Sequence, residues 1–183
     1  MRLWVLVAAV SPASGALDLP GLSGWSVSGT APDEYEVRLD ESAGRNGSAC
    51  AVLETRAPKT SGFVSLMQTA PMTSYRGRRL QLRAWVKAKD VKGWAGLWMR
   101  IDSGKNRGVA FDNMQDRPVR GSSGWRDYSI VLDVPPEAAK ASFGIILEGA
   151  GTVWVDDFAF SFAGPEVPVT DYFRRHWKKE ARP

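Results

Sequence analysis

Apolar and polar residues alternate with a period of two along most of this chain. Leu80, Leu82, Ala84 and Val86 fall on one side of the first clear run, with Gln81, Arg83, Trp85 and Lys87 on the other. In a second run, Ala95, Leu97, Met99 and Ile101 oppose Gly96, Trp98, Arg100 and Asp102. A two-residue period places each set on its own face of a strand. The apolar sides predict core. The opposite sides mix tryptophan with arginine, which packs poorly as core and suits a polar, ring-shaped ligand.

The same reading predicts strands over 24–29, 35–40, 48–56, 62–69, 79–89, 94–102, 108–112, 126–134, 141–148 and 152–162. Between them stand turn-forming residues such as Gly44–Gly47, Tyr75-Arg76-Gly77, Pro135-Pro136 and Gly149–Gly151. Short strands at this spacing predict an all-β antiparallel sandwich or barrel. Helix is confined to single turns at 71–75 and 136–139 and a short terminal piece at 172–179. Phe143, Ile145 and Leu147 are expected inside, as are Tyr128, Ile130, Leu132 and Val134. Trp154, Phe158 and Phe160 are also expected in the core, with Glu148 facing outward or at a strand end.

A chain of 183 residues can bury a sizeable core without disulfides. Its lone cysteine, Cys50, sits in the apolar run Ala49–Leu53 and reads as packing. With no Cys-x-x-Cys pair, a structural zinc site is not expected. The net charge is +4, but residues 171–183 hold five Lys/Arg against two acids. The remainder is therefore near neutral, which argues against nucleic acid as a partner. Residues 1–16 read as a short secretory signal: Arg2, the apolar run Leu3–Val10, and small residues up to Ala16. That predicts a secreted or periplasmic domain over 17–163, with no transmembrane segment, followed by a linker and basic tail at 164–183. The tail is read as a solvated end, or as a contact for an anionic surface or partner protein. The only histidine, His176, lies in this tail, and no nucleophile or phosphate-binding motif occurs. No catalytic residues are expected. Asn46-Gly47-Ser48 matches a glycosylation sequon but is first a turn signal.

Three stretches, GRRLQLRAWVKAKD, WRDYSIVLDVP and TVWVDDFAFSF, together resemble the galactose-binding-like jelly roll. This is the fold of carbohydrate-binding modules of the family 4/9/11/22 type. AGLWMRID, AFDNMQDRP and GTVWVDD resemble more narrowly a bacterial jelly-roll domain of uncharacterised exported proteins, also found beside peptidases and AraC-type regulators. The resemblance covers residues 25–163 and implies a two-sheet jelly-roll sandwich that binds rather than catalyses. It departs at the start, where GLSGWSVSG replaces the usual Asn-x-Gly-Phe-Glu. In such modules an early acid and a closing-strand aspartate often hold a structural calcium. Carried over, that role falls to Asp156, with Asp157, Asp40, Glu41 and the Asn46-Gly47 loop as further oxygens. The alternative is that these aspartates accept backbone or arginine hydrogen bonds.

Sugars present apolar C–H faces and a rim of hydroxyls, so their sites combine aromatic planes with fork donors and carboxylates. Trp85 and Trp98 are the expected planes, and Arg83, Arg100 and Glu148 the expected polar partners, all on one sheet. The competing reading is arginine stacked on tryptophan merely to cover a solvent-facing sheet. A protein-interaction or sensory domain without a sugar ligand is the alternative function. The segment Ala110–Pro118, a strand end followed by a polar loop, is a second candidate, set against a structural role through Asx turns.

Overall fold

A computed structural model of the chain describes residues 22–60 and 62–173. The expected leader, the basic tail beyond Phe173 and the greater part of the expected terminal helix lie outside the described residues. Among the described residues nine strands run in order: β1 (Ser26–Gly29), β2 (Tyr35–Asp40), β3 (Cys50–Thr55), β4 (Phe63–Pro71), β5 (Arg79–Ser103), β6 (Ala110–Asp112), β7 (Val119–Asp133), β8 (Ala138–Glu148) and β9 (Thr152–Phe162). Single 3₁₀ turns occupy Pro32–Glu34 and Thr73–Tyr75. Every pairing is antiparallel, and the sheet order is β1-β4-β8-β5-β9-β3-β2, with β6 and β7 also on β5. The sheet wraps into a nearly closed, barrel-like sandwich, a jelly roll.

The chief departure from expectation is β5. The two alternating runs do not form separate strands side by side; they are one strand of 25 residues. Its first half pairs with β7 and β9, and its second half with β8 and β6. Between the halves the ladder slips at Val86/Ala88, Ala88/Val91 and Val91/Ala95, and Asp90 takes φ 54°. Such irregularities bend a strand without ending it. The bend also exchanges parity: even-numbered residues from Leu80 to Ala88 face the core, then odd-numbered ones from Val91 to Ile101. Two walls result. The first holds β2, β3, β9, the first half of β5, and β7; the second holds β1, β4, β8, the second half of β5, and β6.

Leu82, Leu97, Met99, Ile130, Leu132, Ile145 and Leu147 lie at the centre of the core between the walls, and Phe143 joins them. Trp154 does not. Val153 and Val155 point inward instead, so Trp154 faces outward. The cause is a bulge in β9, where the partners step from Arg83↔Ala159 to Trp85↔Asp156 and Asp157 adopts φ 53°. Beyond it the parity reverses, and Phe158 and Phe160 pack on the core as expected. The expected linker is partly fastened down. Arg79 Nη1 donates to the carbonyls of Pro165 and Val167, and Thr170 exchanges hydrogen bonds with Val131. Among the described residues, no helix is long and apolar enough to cross a membrane.

Candidate functional site

The five expected ligand residues do not form one face. Arg83 and Trp85 lie on the outer side of the first wall; Trp98, Arg100 and Glu148 lie on the outer side of the second. One long bent strand carries residues of both sets, which is why they are near in sequence and apart in space.

On the first wall, Arg83 forms an ion pair with Asp127 of β7, both groups well exposed. The Arg45 guanidinium lies 4.2 Å from the centroid of the Trp85 ring. The cover on Trp85 is thus an arginine of the β2–β3 loop, not a neighbour along β5. Lys87, next along the same face, places its ammonium 4.2 Å from the Trp154 ring centroid and 5.6 Å from that of Trp125.

On the second wall, Trp98 is 7 % exposed and offers no open ring for stacking, contrary to expectation. Its Nε1 donates to Ser65 Oγ at 2.8 Å. Ser65 belongs to β4 and Trp98 to β5, with β8 between them. Two strand spacings, about 10 Å, separate the outer strands. The indole must therefore cross β8, and it does so beside Gly144, the Cα partner of Trp98, where no side chain obstructs it. Trp94, also on this outer side, is buried, and its Cζ3 stands 3.6 Å from the position a Cβ would take at Gly96. Glu148 is exposed and is the cross-strand partner of both Trp94 and Phe63. Thr69 and Ser142 share a hydroxyl contact of 3.1 Å on the same side. The face is turned from the core yet largely shielded, with indoles, hydroxyls and glycines along its floor.

Arg100 makes a two-pronged contact with Asp102, Nε to Oδ1 at 2.8 Å and Nη2 to Oδ2 at 3.1 Å. Asp102 Oδ1 also accepts from the Gly108 N–H at 2.8 Å. Burial pushes the Asp102 carboxyl up, but Arg100, the Gly108 N–H and the charge of Arg107 outweigh it and hold the group below the usual carboxylate range. A carboxyl whose folded pKa is depressed contributes stability above its unfolded pKa and loses it as pH falls through the folded value. Asp102→Asn should therefore cost about 2 kcal/mol at neutral pH. The gap should close as the medium is acidified, which urea midpoints of both proteins across an acid pH series would reveal.

The residues of the expected calcium site do not fit the ion. Asp156 Oδ2 accepts from the Arg45 N–H at 3.0 Å and the Ser48 hydroxyl at 3.1 Å, and Oδ1 from the Asp157 N–H at 2.8 Å. Asp157 faces the Arg45 guanidinium at 3.5 Å, and Asp40 Oδ1 accepts from the Ser42 and Ala43 N–H groups. Calcium needs six to eight oxygens, whereas these carboxylates meet N–H donors and a cation. Among the described residues no group of three or more His, Cys, Asp or Glu is placed to hold a metal. Asp156 serves instead to fasten the β2–β3 loop to β9. Cys50 is fully buried, and its thiol is pushed up to about 11 by burial and by the charges of Asp156 and Asp40. At mildly alkaline pH the native protein should resist iodoacetamide and react at Cys50 only when unfolded, as mass spectrometry would register.

The Asp112–Pro118 loop is held by its own side chains. Asp112 Oδ1 accepts from the Met114 N–H, Asn113 Oδ1 from the Gln115 N–H, and Arg117 forms a forked pair with the fully buried Asp112. The Asx turns of the structural reading are present. At the neighbouring edge, Phe111 meets Tyr172 and Phe173 with ring centroids 6.5 and 5.8 Å away.

Sequence reasoning placed Lys87 on the outer side without naming it as a site residue, and it missed Trp94, Trp125 and Trp154 as members of these faces. Lys87 and Trp94 share the outward parity of their strand halves, so the alternation already contained that signal. Trp125 and Trp154 sit at or before bulges, where a uniform period of two assigns the wrong side.

No protein-family model matches the chain. Over 151 residues it is 38 % identical to the uncharacterized HTH-type transcriptional regulator YbfP of Bacillus subtilis (strain 168), an alignment covering 82 % of this chain and 51 % of that protein. The chain thus spans about half the length of the curated relative it matches. Among solved structures, the enzymatically active domain of bacteriophage CBA120 tailspike protein 4 superposes with a TM-score of 0.62 at 20 % identity, over 86 % of this chain and 22 % of that one. A family 16 carbohydrate-binding module gives 0.58 at 13 % identity, over 81 % of this chain and 97 % of the module. A family 61 module in complex with β-1,4-galactotriose gives 0.52 at 16 % identity, over 82 % and 100 %. Identities this low establish shared architecture. The chain has the jelly-roll fold that these solved structures share.

Proposed function

We propose that this chain is a non-catalytic carbohydrate-binding module that takes a neutral saccharide on the outer face of the second wall. The observation that carries this reading is the make-up of that face. Core-facing positions of β4, β8 and β5 are aliphatic or aromatic, whereas the opposite side, though shielded, carries Trp94, Trp98, Ser65, Ser142 and Arg100. Above this buried layer the accessible groups are polar, Thr69, Arg100 and Glu148, and they suit the hydroxyl rim of a sugar. In this reading Trp98 and Trp94, both buried, do not stack on the sugar but form a floor beneath the face that supports its accessible groups. Glu148 supplies an exposed acceptor for hydroxyl pairs, and the Arg100 fork, steadied by Asp102, supplies donors. Fold neighbours that are carbohydrate-binding modules support the class of ligand.

Affinity electrophoresis in gels containing xylan, galactan or mixed-linkage glucan tests this directly. At least one polysaccharide should retard the wild type, and Glu148→Ala should relieve that retardation. Unaltered migration in all three gels, or full retardation of Glu148→Ala, would overturn the reading.

A second reading rests on the relative from Bacillus subtilis, whose name describes a transcriptional regulator and of which the match covers 51 %. There the same fold would serve as a sensing domain, with a small effector or a partner chain in place of a polysaccharide. Cell fractionation separates the two: an exported module leaves the cytoplasm, a sensing domain of a regulator stays within it.

A further inference from the structure

The outer face of the first wall lies apart from the face just proposed and carries different chemistry. Trp85, Trp125 and Trp154 all present partly accessible indoles there. Arg45 lies over Trp85, and Lys87 lies over Trp154 and near Trp125. Bulges in the strands on either side of β5 build this arrangement. In β7 the partners step from Val86↔Arg126 to Ala88↔Ser123, which sets the extra residue among Gly124 and Trp125 opposite Lys87. In β9 the step at Asp157 turns Asp156 and Trp154 to their present sides. Bulges often re-aim side chains at sites of use.

The charges on this face are unevenly matched. Asp127 is paired with Arg83, and Asp157 with Arg45. Among the described residues Lys87 has no carboxylate within ion-pair distance; its contacts are the two ring faces. An ammonium on an indole is stabilised by the ring quadrupole, which accounts for its resting position. It still lacks the anion that a half-buried ammonium takes most readily, and flat apolar surface flanks it on both sides.

We infer that this face is a second binding site, selective for a carboxylated sugar. The uronate carboxylate meets Lys87 Nζ while the C–H face of the ring rests on the Trp125 and Trp154 indoles. Charge complementarity fixes the class of ligand: a neutral sugar leaves Lys87 unused, and a simple anion leaves the indoles unused.

Calorimetric titration of the full chain with tetragalacturonate and tetramannuronate, each beside its methyl ester, tests the inference. The ester keeps the ring and removes the charge. At least one acid form should bind, about tenfold or more tighter than its ester. Lys87→Gln should remove that preference and Lys87→Arg should retain it. Trp125→Ala should weaken the binding of both acid and ester. Glu148→Ala, on the other face, should leave the affinity for the acid form unchanged. Equal binding of acid and ester, no binding of either acid, or an unchanged preference in Lys87→Gln would overturn the inference. Loss of acid binding in Glu148→Ala would assign the ligand to the other wall. The acid-against-ester comparison uses the unaltered chain and so holds even if a variant fails to fold.

Discussion

Trp98→Ala should destabilise the domain by about 3–5 kcal/mol, the range for deleting a large buried aromatic side chain. Two losses combine. The indole leaves a void on the outer side of β8, where Gly144 has no side chain to fill it. Ser65, 1 % exposed, also loses its 2.8 Å partner, and a buried hydroxyl without one costs about 1–3 kcal/mol. Trp98→Phe separates the terms, because it keeps much of the ring and removes the N–H. It should lose about 1–3 kcal/mol, and adding Ser65→Ala to it should recover part of that loss. Urea denaturation of the four proteins would measure these differences. A Trp98→Ala protein within about 1 kcal/mol of wild type would show that the indole is not the floor described above. The consequence for function is direct: abolished sugar binding in Trp98→Ala reports a collapsed floor, whereas Glu148→Ala reports the rim.

The fold was legible because a period of two is local. Leu80–Val86 and Ala95–Ile101 each declare an inner side without reference to anything distant, and every such inner residue is core. What alternation does not declare is which wall a strand joins. Lys89–Gly93 carries the charge and glycine of a connection, so the two runs read as neighbours. The chain instead bends at Asp90 and continues, taking Trp98 and Arg100 to the other wall from Arg83 and Trp85. Trp154 fails for a related reason. Read evenly, Trp154, Phe158 and Phe160 share a side; the extra residue at the β9 bulge places Trp154 outside and the two phenylalanines inside. The cation over Trp85 was foreseen in kind, but its donor, Arg45, is distant in sequence, on a loop that Asp156 ties to β9. Candidate sites assembled from single strands are thus exposed to every bulge between them.

Gly144→Ala should be strongly disruptive, costing about 3 kcal/mol or more, at or beyond the upper end for overpacking. A Cβ at this position would stand 2.0 Å from the Leu66 carbonyl oxygen and 2.9 Å from the Met67 Cα. Both are backbone atoms of β4, so no side chain can rotate aside. Either β8 separates from β4, straining a ladder that runs from Phe63↔Glu148 to Pro71↔Lys140, or the strand twists locally. In both cases the path of the Trp98 indole to Ser65 is disturbed, since Gly144 is the residue it passes. Loss of stability should therefore come with a shift in tryptophan fluorescence and weaker retention on any polysaccharide that binds the second wall. Gly104→Ala is the control: nothing lies within 4 Å of its added methyl, and its φ is outside the left-handed region. It should be neutral or slightly stabilising, by up to about 1 kcal/mol, through a less flexible unfolded chain. Thermal melts of the pair decide the matter. If Gly144→Ala melts with Gly104→Ala, the close approach of β8 to β4 is not what positions the indole, and the floor of the proposed sugar face must be held in some other way.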